Sequence, residues 1–256
     1  KGFDKETIYK IQPFLSFATV KEVPTIKLKN VVNYSRHNII FRSTRDLQTR
    51  YGYNDSLPNG YLGNPQDYYL RYKGTYRDLL SVGLVMQQDA GEPFGGQNSV
   101  IDFISGHLAL TNYGKVRKLI IGDYQAQFGQ GLALWSSLAF GKSAQAINVK
   151  RYASGFRAFT GAEENRFLRG AAATYRLGSF DISAFYSSHK TDANVTETDS
   201  NLAPTFVSSL PTTGLHRTEN ELADKDANTL QIMGGNINYK GNGFSAGLTA
   251  VNYQLA

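Results

Sequence analysis

The sequence predicts an all-β fold, an up-and-down antiparallel transmembrane β-barrel with a short N-terminal helix, and three observations carry that prediction. Apolar side chains recur at every second position through segments of about ten residues, the connections between segments alternate short and long, and no run is long and apolar enough for a membrane helix. The short connections fall near Ser35-Arg36, Gly74 to Asp78, Asn112 to Lys115, Leu177 to Ser179 and Lys240 to Gly243. The long ones cover Arg45 to Gln66, Asp89 to Val100, Gly129 to Arg166 and Lys190 to Asn228. Outer-membrane barrels are built this way, with short periplasmic turns and long external loops.

Composition agrees with that class without requiring it. A mean hydropathy of -0.35 excludes a bundle of membrane helices but not a barrel, in which only alternate residues meet lipid. Tyr 16 and Phe 15 against Trp 1 is aromatic-rich, which suits interfacial girdles and also a soluble β-sandwich, the competing reading. With Cys 0 there is no disulfide framework or thiolate metal site. The net charge of +6 suits anionic headgroups, a nucleic acid or an anion-favouring pore, and selects none of them. The chain begins at Lys1 with no leader-like run, so any export signal is expected outside this sequence.

Taken in order, residues 1–14 read as the end of a helical domain. Asp4 is placed to cap, Phe3 and Ile8 to staple, Ile8 and Ile11 to share a face, and Pro13 to stop the helix. Residues 15–25 read as a linker and 26–256 as the barrel. Ile26 to Tyr34 and His37 to Thr44 form the first expected hairpin. Tyr68, Leu70 and Tyr72 then oppose Tyr69, Arg71 and Lys73. Leu80, Val82, Leu84 and Met86 oppose Ser81, Gly83 and Gln87, with Val85 as the exception. Ile104, Leu108 and Leu110 oppose Ser105, His107 and Thr111. In Lys118 to Phe128, Ile120, Tyr124, Ala126 and Phe128 are expected to face lipid and Asp123, Gln125 and Gln127 the lumen. Phe180, Ile182, Ala184 and Tyr186 oppose Asp181, Ser183, Ser187 and His189, with Phe185 as the exception. Phe167 to Arg176 is mixed, and Thr229 to Tyr239 shifts face near Gly234-Gly235, as either a bulge or a misplaced strand boundary would cause. With the alternating segment from Phe244 onward, the count is ten strands in five hairpins. Alternation continues to the last residues, so further strands or a partner are expected to cover the final edge.

Four strings stand out in this order: Gly2 to Thr7 (GFDKET), Gln88 to Phe94 (QDAGEPF), Gly122 to Gln125 running into Phe128 to Trp135 (GDYQ, FGQGLALW), and Phe140 to Ser143 (FGKS). Together they resemble the Bacteroidetes envelope proteins that join an N-terminal helix-hairpin-helix domain, similar to the DNA-binding competence protein, to a large C-terminal barrel. The resemblance implies an outer-membrane location, a helical domain before Lys1 and a longer intact protein. The hairpin glycines that would present amides to a DNA phosphate are not visible in this sequence.

The strongest functional candidate is Gly129 to Arg166, where Lys142, Lys150, Arg151, Arg157 and Arg166 stand against Glu163 and Glu164. Folded into the lumen, such a segment would form a basic constriction favouring anions. Left outside, it would be a solvated or partner-docking loop. Asp123, Gln125 and Gln127, with Arg42, Arg71 and Lys73, are expected to line the lumen as a channel wall or as the buried polar network of a closed barrel. Lys190 to Asn228 carries Asp192, Glu197, Asp199, Glu219, Glu221, Asp224 and Asp226 without calcium-loop spacing, and reads as a flexible solvated loop. Ser105 and His107 share a strand face, as a nucleophile and its base would, but point away from lipid. His37, His189 and His216 have no suitably spaced partner, so no metal, cofactor or catalysis is expected. The partners expected are outer-membrane lipid, envelope proteins and, from the charge, a nucleic acid. The function expected is an outer-membrane conduit or envelope-assembly subunit. The alternatives are a plugged scaffold that docks partner proteins and a component of DNA uptake.

Overall fold

The structure, a computed structural model, describes residues 4–12, 25–54, 56–95, 101–136, 151–198 and 204–255. Two short helices, α1 (Lys5–Ile11) and α2 (Leu28–Tyr34), precede the sheet. Nine strands then pair with their chain neighbours in antiparallel order. They are β1 (Arg36–Arg45), β2 (Gln66–Tyr76), β3 (Leu80–Gln88), β4 (Phe103–Tyr113), β5 (Val116–Gln127), β7 (Leu168–Leu177), β8 (Phe180–Thr191), β11 (Asn228–Lys240) and β12 (Ser245–Leu255). A tenth, β6 (Gly155–Ala158), pairs with β5 alone, and β9 (Asn194–Thr198) and β10 (Pro204–Ser209) form a separate hairpin. Among the described residues β1 and β12 form the sheet's two edges and are not paired with each other.

Asp4 caps α1 as expected, its carboxylate accepting the Thr7 N–H at 2.8 Å. Phe3 and Pro13 lie outside the described residues. The expected strand Ile26 to Tyr34 is instead the helix α2, which removes the first hairpin. Leu28, Val31 and Val32 recur with helical spacing as readily as Leu28 and Val32 recur with strand spacing, so the pattern is ambiguous. Ser35 decides it locally by directing both its N–H, at 3.1 Å, and its hydroxyl, at 2.5 Å, to the Val31 carbonyl, which closes a helical turn. The remaining four expected hairpins form, and ten strands still share one sheet because β6 arises within the long segment before β7.

Side chains alternate across the sheet, and its outward face is apolar. One cross-strand row runs Val82, Leu108, Ile121, Ala171, Tyr186 and Met233 over six strands in continuous register. Its five large members are each 41% to 56% exposed, with no other described part of the chain over them. The inward face supplies the core. Ala109, Ile120, Tyr124, Ala126, Leu168, Ala172, Phe185 and Ile232 from β4, β5, β7, β8 and β11 close around Phe156 of β6 and Phe128. Five strands can meet around one phenylalanine only if the sheet curls about it.

Curling requires β5 to leave its neighbour. The β4–β5 ladder runs from Tyr113↔Val116 to His107↔Gly122 and ends there, after which β5 pairs with β6. Gly122 has φ +100, and a Cβ on it would lie 2.3 Å from the Gly106 carbonyl oxygen, so the bend needs glycine. The departure frees backbone groups on β4, and the Asp123–Arg169 pair takes them up. Asp123 accepts the Gly106 N–H at 3.0 Å and two guanidinium bonds from Arg169 at 2.7 and 2.9 Å, while Arg169 donates to the Ile104 carbonyl at 2.8 Å.

This bend also corrects the faces expected for Lys118 to Phe128. Ile120, Tyr124, Ala126 and Phe128 are buried in the core instead of facing outward. The expected bulge at Gly234-Gly235 is absent, because β11 pairs without a register break on both sides. Its inward residues simply pass from apolar Leu230 and Ile232 to polar Asn236 and Asn238.

Losing one partner of a buried ion pair costs about 3–5 kcal/mol. Because the Arg169 side chain is 45% exposed and water shares its load, Arg169→Met is expected near the lower end, about 3 kcal/mol, by urea unfolding of the refolded protein. A loss under about 0.5 kcal/mol, the ordinary surface range, would exclude this pair as the closure of the seam.

Candidate functional site

The interior is stacked in four levels. At the short-turn end lies a polar cavity of about 620 Å³, lined among others by Arg117, Lys118, Gln127, Arg151, Asn236 and Lys240. In the middle, Phe156 meets Tyr124, Phe128 and Phe185 edge to face at centroid distances of 5.1 to 5.9 Å. Above them, Phe159 stacks on Phe167 at 5.3 Å, with Phe103 and Val85 completing the cluster. The two exceptions in the strand pattern, Val85 and Phe185, are therefore the wall residues that receive the inserted segment.

The expected interior residues separate. Gln127 and Arg151 come together at the cavity, with the Gln127 side-chain carbonyl accepting the Ser154 hydroxyl at 2.7 Å and the Arg151 guanidinium 5.3 Å from the centre of the Trp135 ring. Asp123 belongs to the seam and not to the lumen lining. Gln125 donates weakly to the Arg166 carbonyl at 3.4 Å, Arg166 faces solvent beside Glu163 at 3.9 Å, and Arg157 is exposed. Lys142 and Lys150 lie outside the described residues. Ser105 and His107 do point inward, but the His107 Nδ1–H donates to the Phe159 carbonyl at 2.9 Å and Nε2 accepts from Ser81 at 3.0 Å. Neither ring nitrogen is left to act as a base for Ser105.

The fourth level closes the long-loop end and centres on His216, whose side chain is 3% exposed. Its Nδ1 lies 2.7 Å from Asp102 and 4.0 Å from Glu164, and its Nε2 lies 3.1 Å from Asp192. Its backbone N–H donates to Glu92 at 2.9 Å, and Lys225 pairs with the other oxygen of Asp102. The long loops hold these groups in place. Asp192 accepts the Asp226 N–H, and Glu92 accepts the Asp89 N–H at 2.7 Å. Arg217 ties Glu221 at 2.8 Å to Tyr61, whose ring centre is 4.9 Å from the guanidinium, and α3 (Glu219–Asp224) begins at the Thr218 cap. The expectation of a flexible solvated loop over Lys190 to Asn228 is thus corrected: Asp192, His216 and Thr218 are buried. The expectation that His216 lacks partners is corrected as well, since they arrive from loops 24 to 124 residues away in the chain.

Burial alone would lower the His216 pKa, but the hydrogen bonds to Asp102 and Asp192 override it and push it up to about 10. Burial, reinforced by the Asp102 charge, raises Glu164 to about 9 and Glu92 to about 7. Burial would raise Asp192 too, but the His216 hydrogen bond and charge hold it below the usual carboxylate value. Among the described residues, the only polar contact of the Glu164 carboxylate is His216.

The chain matches no family profile, no curated protein and no solved structure.

His216, Glu164 and Glu92 all bind protons more tightly folded than unfolded. Their contribution to stability is complete below the unfolded values of 4.5 and 6.5 and is lost as pH rises through about 7, 9 and 10. Protease cleavage within residues 210–226 is therefore expected to accelerate between pH 6 and pH 10, as mapped by mass spectrometry. A rate independent of pH, after correction for the protease's own profile, would exclude this coupling.

Proposed function

We propose that this chain forms the wall and internal plug of an outer-membrane β-barrel and acts as a scaffold subunit of an envelope assembly, without catalysis. The observation that carries the reading is the outward row from Val82 to Met233. A continuous apolar surface across six strands has no covering partner among the described residues, and lipid is the solvent that suits it. The aromatic levels favour a scaffold over an open conduit, because Phe156 and Phe159 occupy the space a pore would need. The resemblance to the helix-hairpin-helix envelope proteins is in keeping with this reading.

A second reading rests on the basic lining of the short-turn cavity. Arg117, Lys118, Arg151 and Lys240 outnumber Asp181, so a polyanion, nucleic acid included, would be attracted there. Asp181 itself neutralises Lys240 at 2.8 Å and is bound by Arg176, which reduces the excess.

Two measurements test the membrane and plug claims separately. In lipid, Leu108→Arg is expected to cost about 2–4 kcal/mol on refolding into phosphocholine bilayers, whereas on a water-facing surface it would stay within about 0.5 kcal/mol. In planar bilayers the unmodified protein is expected to give no steady conductance. Discrete openings from it would overturn the plug while leaving the wall intact.

A further inference from the structure

We propose that Glu92, Asp102 and His216, with Glu164 beside them, form a site for one divalent first-row cation such as Zn2+ or Mn2+, which fastens the long loops over the sheet. One ligand atom from each of Glu92, Asp102 and His216 lies within 4.8 Å of the others, a spread that small side-chain rotations close to a coordination sphere. The imidazole is already oriented for the task. Asp192 receives the Nε2–H at 3.1 Å, and this carboxylate–histidine pairing fixes a ligating histidine with its other nitrogen turned to the metal. Nδ1 faces Asp102 at 2.7 Å and Glu164 at 4.0 Å. On binding, the cation takes the place of the proton between Nδ1 and Asp102, and that proton leaves to solvent.

Charge supports the assignment. Four carboxylates converge on His216 and Lys225, and Glu164, its side chain 13% exposed, accepts no hydrogen bond from any described residue. The donor set of one imidazole with several carboxylates favours Zn2+ or Mn2+ over Ca2+, which takes oxygen ligands. Glu92 and Asp102 come from the connection between β3 and β4 and His216 from the one after β10, so one ion would join these two connections.

The test uses the whole refolded chain, stripped with EDTA and titrated with Mn2+, Zn2+ and Ca2+ alone. One saturable Mn2+ or Zn2+ per chain is expected, with a nitrogen coupling in the electron spin echo of bound Mn2+ and slower cleavage of residues 210–226. Asp192→Asn, which keeps the direct ligands, is expected to weaken binding about 10–100-fold. Glu164→Gln is expected to weaken it as well. Absence of saturable binding to folded protein, absence of nitrogen coupling, or unchanged affinity in His216→Gln would overturn the site. Should His216→Gln fail to fold, the nitrogen coupling and the Asp192→Asn titration decide.

Discussion

The interior exists because β5 abandons β4 at Gly122, and the Asp123–Arg169 pair makes that departure tolerable. A strand that leaves a sheet strands the N–H and C=O groups of its former neighbour, each costing roughly 1–3 kcal/mol when buried and unpaired. Asp123 and Arg169 supply one acceptor and one donor to those groups while neutralising each other. With the seam sealed, β5 is free to carry Tyr124, Ala126 and Phe128 inward, and β6 follows with Phe156. The Phe159 N–H then returns to the Asp123 carbonyl at 2.9 Å, which ties the inserted segment to the same residue that seals the wall.

The strands were legible in the sequence because a period of two survives wherever one face is uniformly apolar. The outward sets of β3, β4 and β8 are of this kind, and Ile104, Leu108 and Tyr186 stand where alternation puts them. Legibility failed where the inward face also became apolar. Val85 and Phe185 looked like errors in the pattern, and the polar–apolar contrast within Lys118 to Phe128 pointed the wrong way, because the aromatic plug turns part of the interior into a core. Helix α2 failed for a different reason: Leu28 and Val32 fit both periods, and Ser35 closes a helical turn onto the Val31 carbonyl.

The cluster around His216 left almost no local trace. Histidine motifs are read at spacings of two to five residues, and here the partners lie in loops brought together only when the sheet curls. Glu92 sits in the string Gln88 to Phe94 that stood out in the sequence, yet nothing in that string tells that its carboxylate is buried under the His216 backbone. The one usable signal is indirect: several long loops each contribute an acid or a base to what composition alone presents as polar solvated chain.

The two ends of the curled sheet consequently differ in kind. At the long-loop end, residues near 62, 92, 102, 164, 192 and 216 interlock through backbone and ionic contacts, and the aromatic levels lie beneath them. At the short-turn end the walls shorten to turns, and a polar cavity of about 620 Å³ opens between Arg117, Arg151 and Lys240. Tyr124, Phe128, Phe156 and Phe185, all at most 7% exposed, lie between the two. The cavity lies on the short-turn side of them. On the barrel reading that side is the periplasm, so small or anionic partners would be met from within the envelope and protein partners of the long loops from outside it.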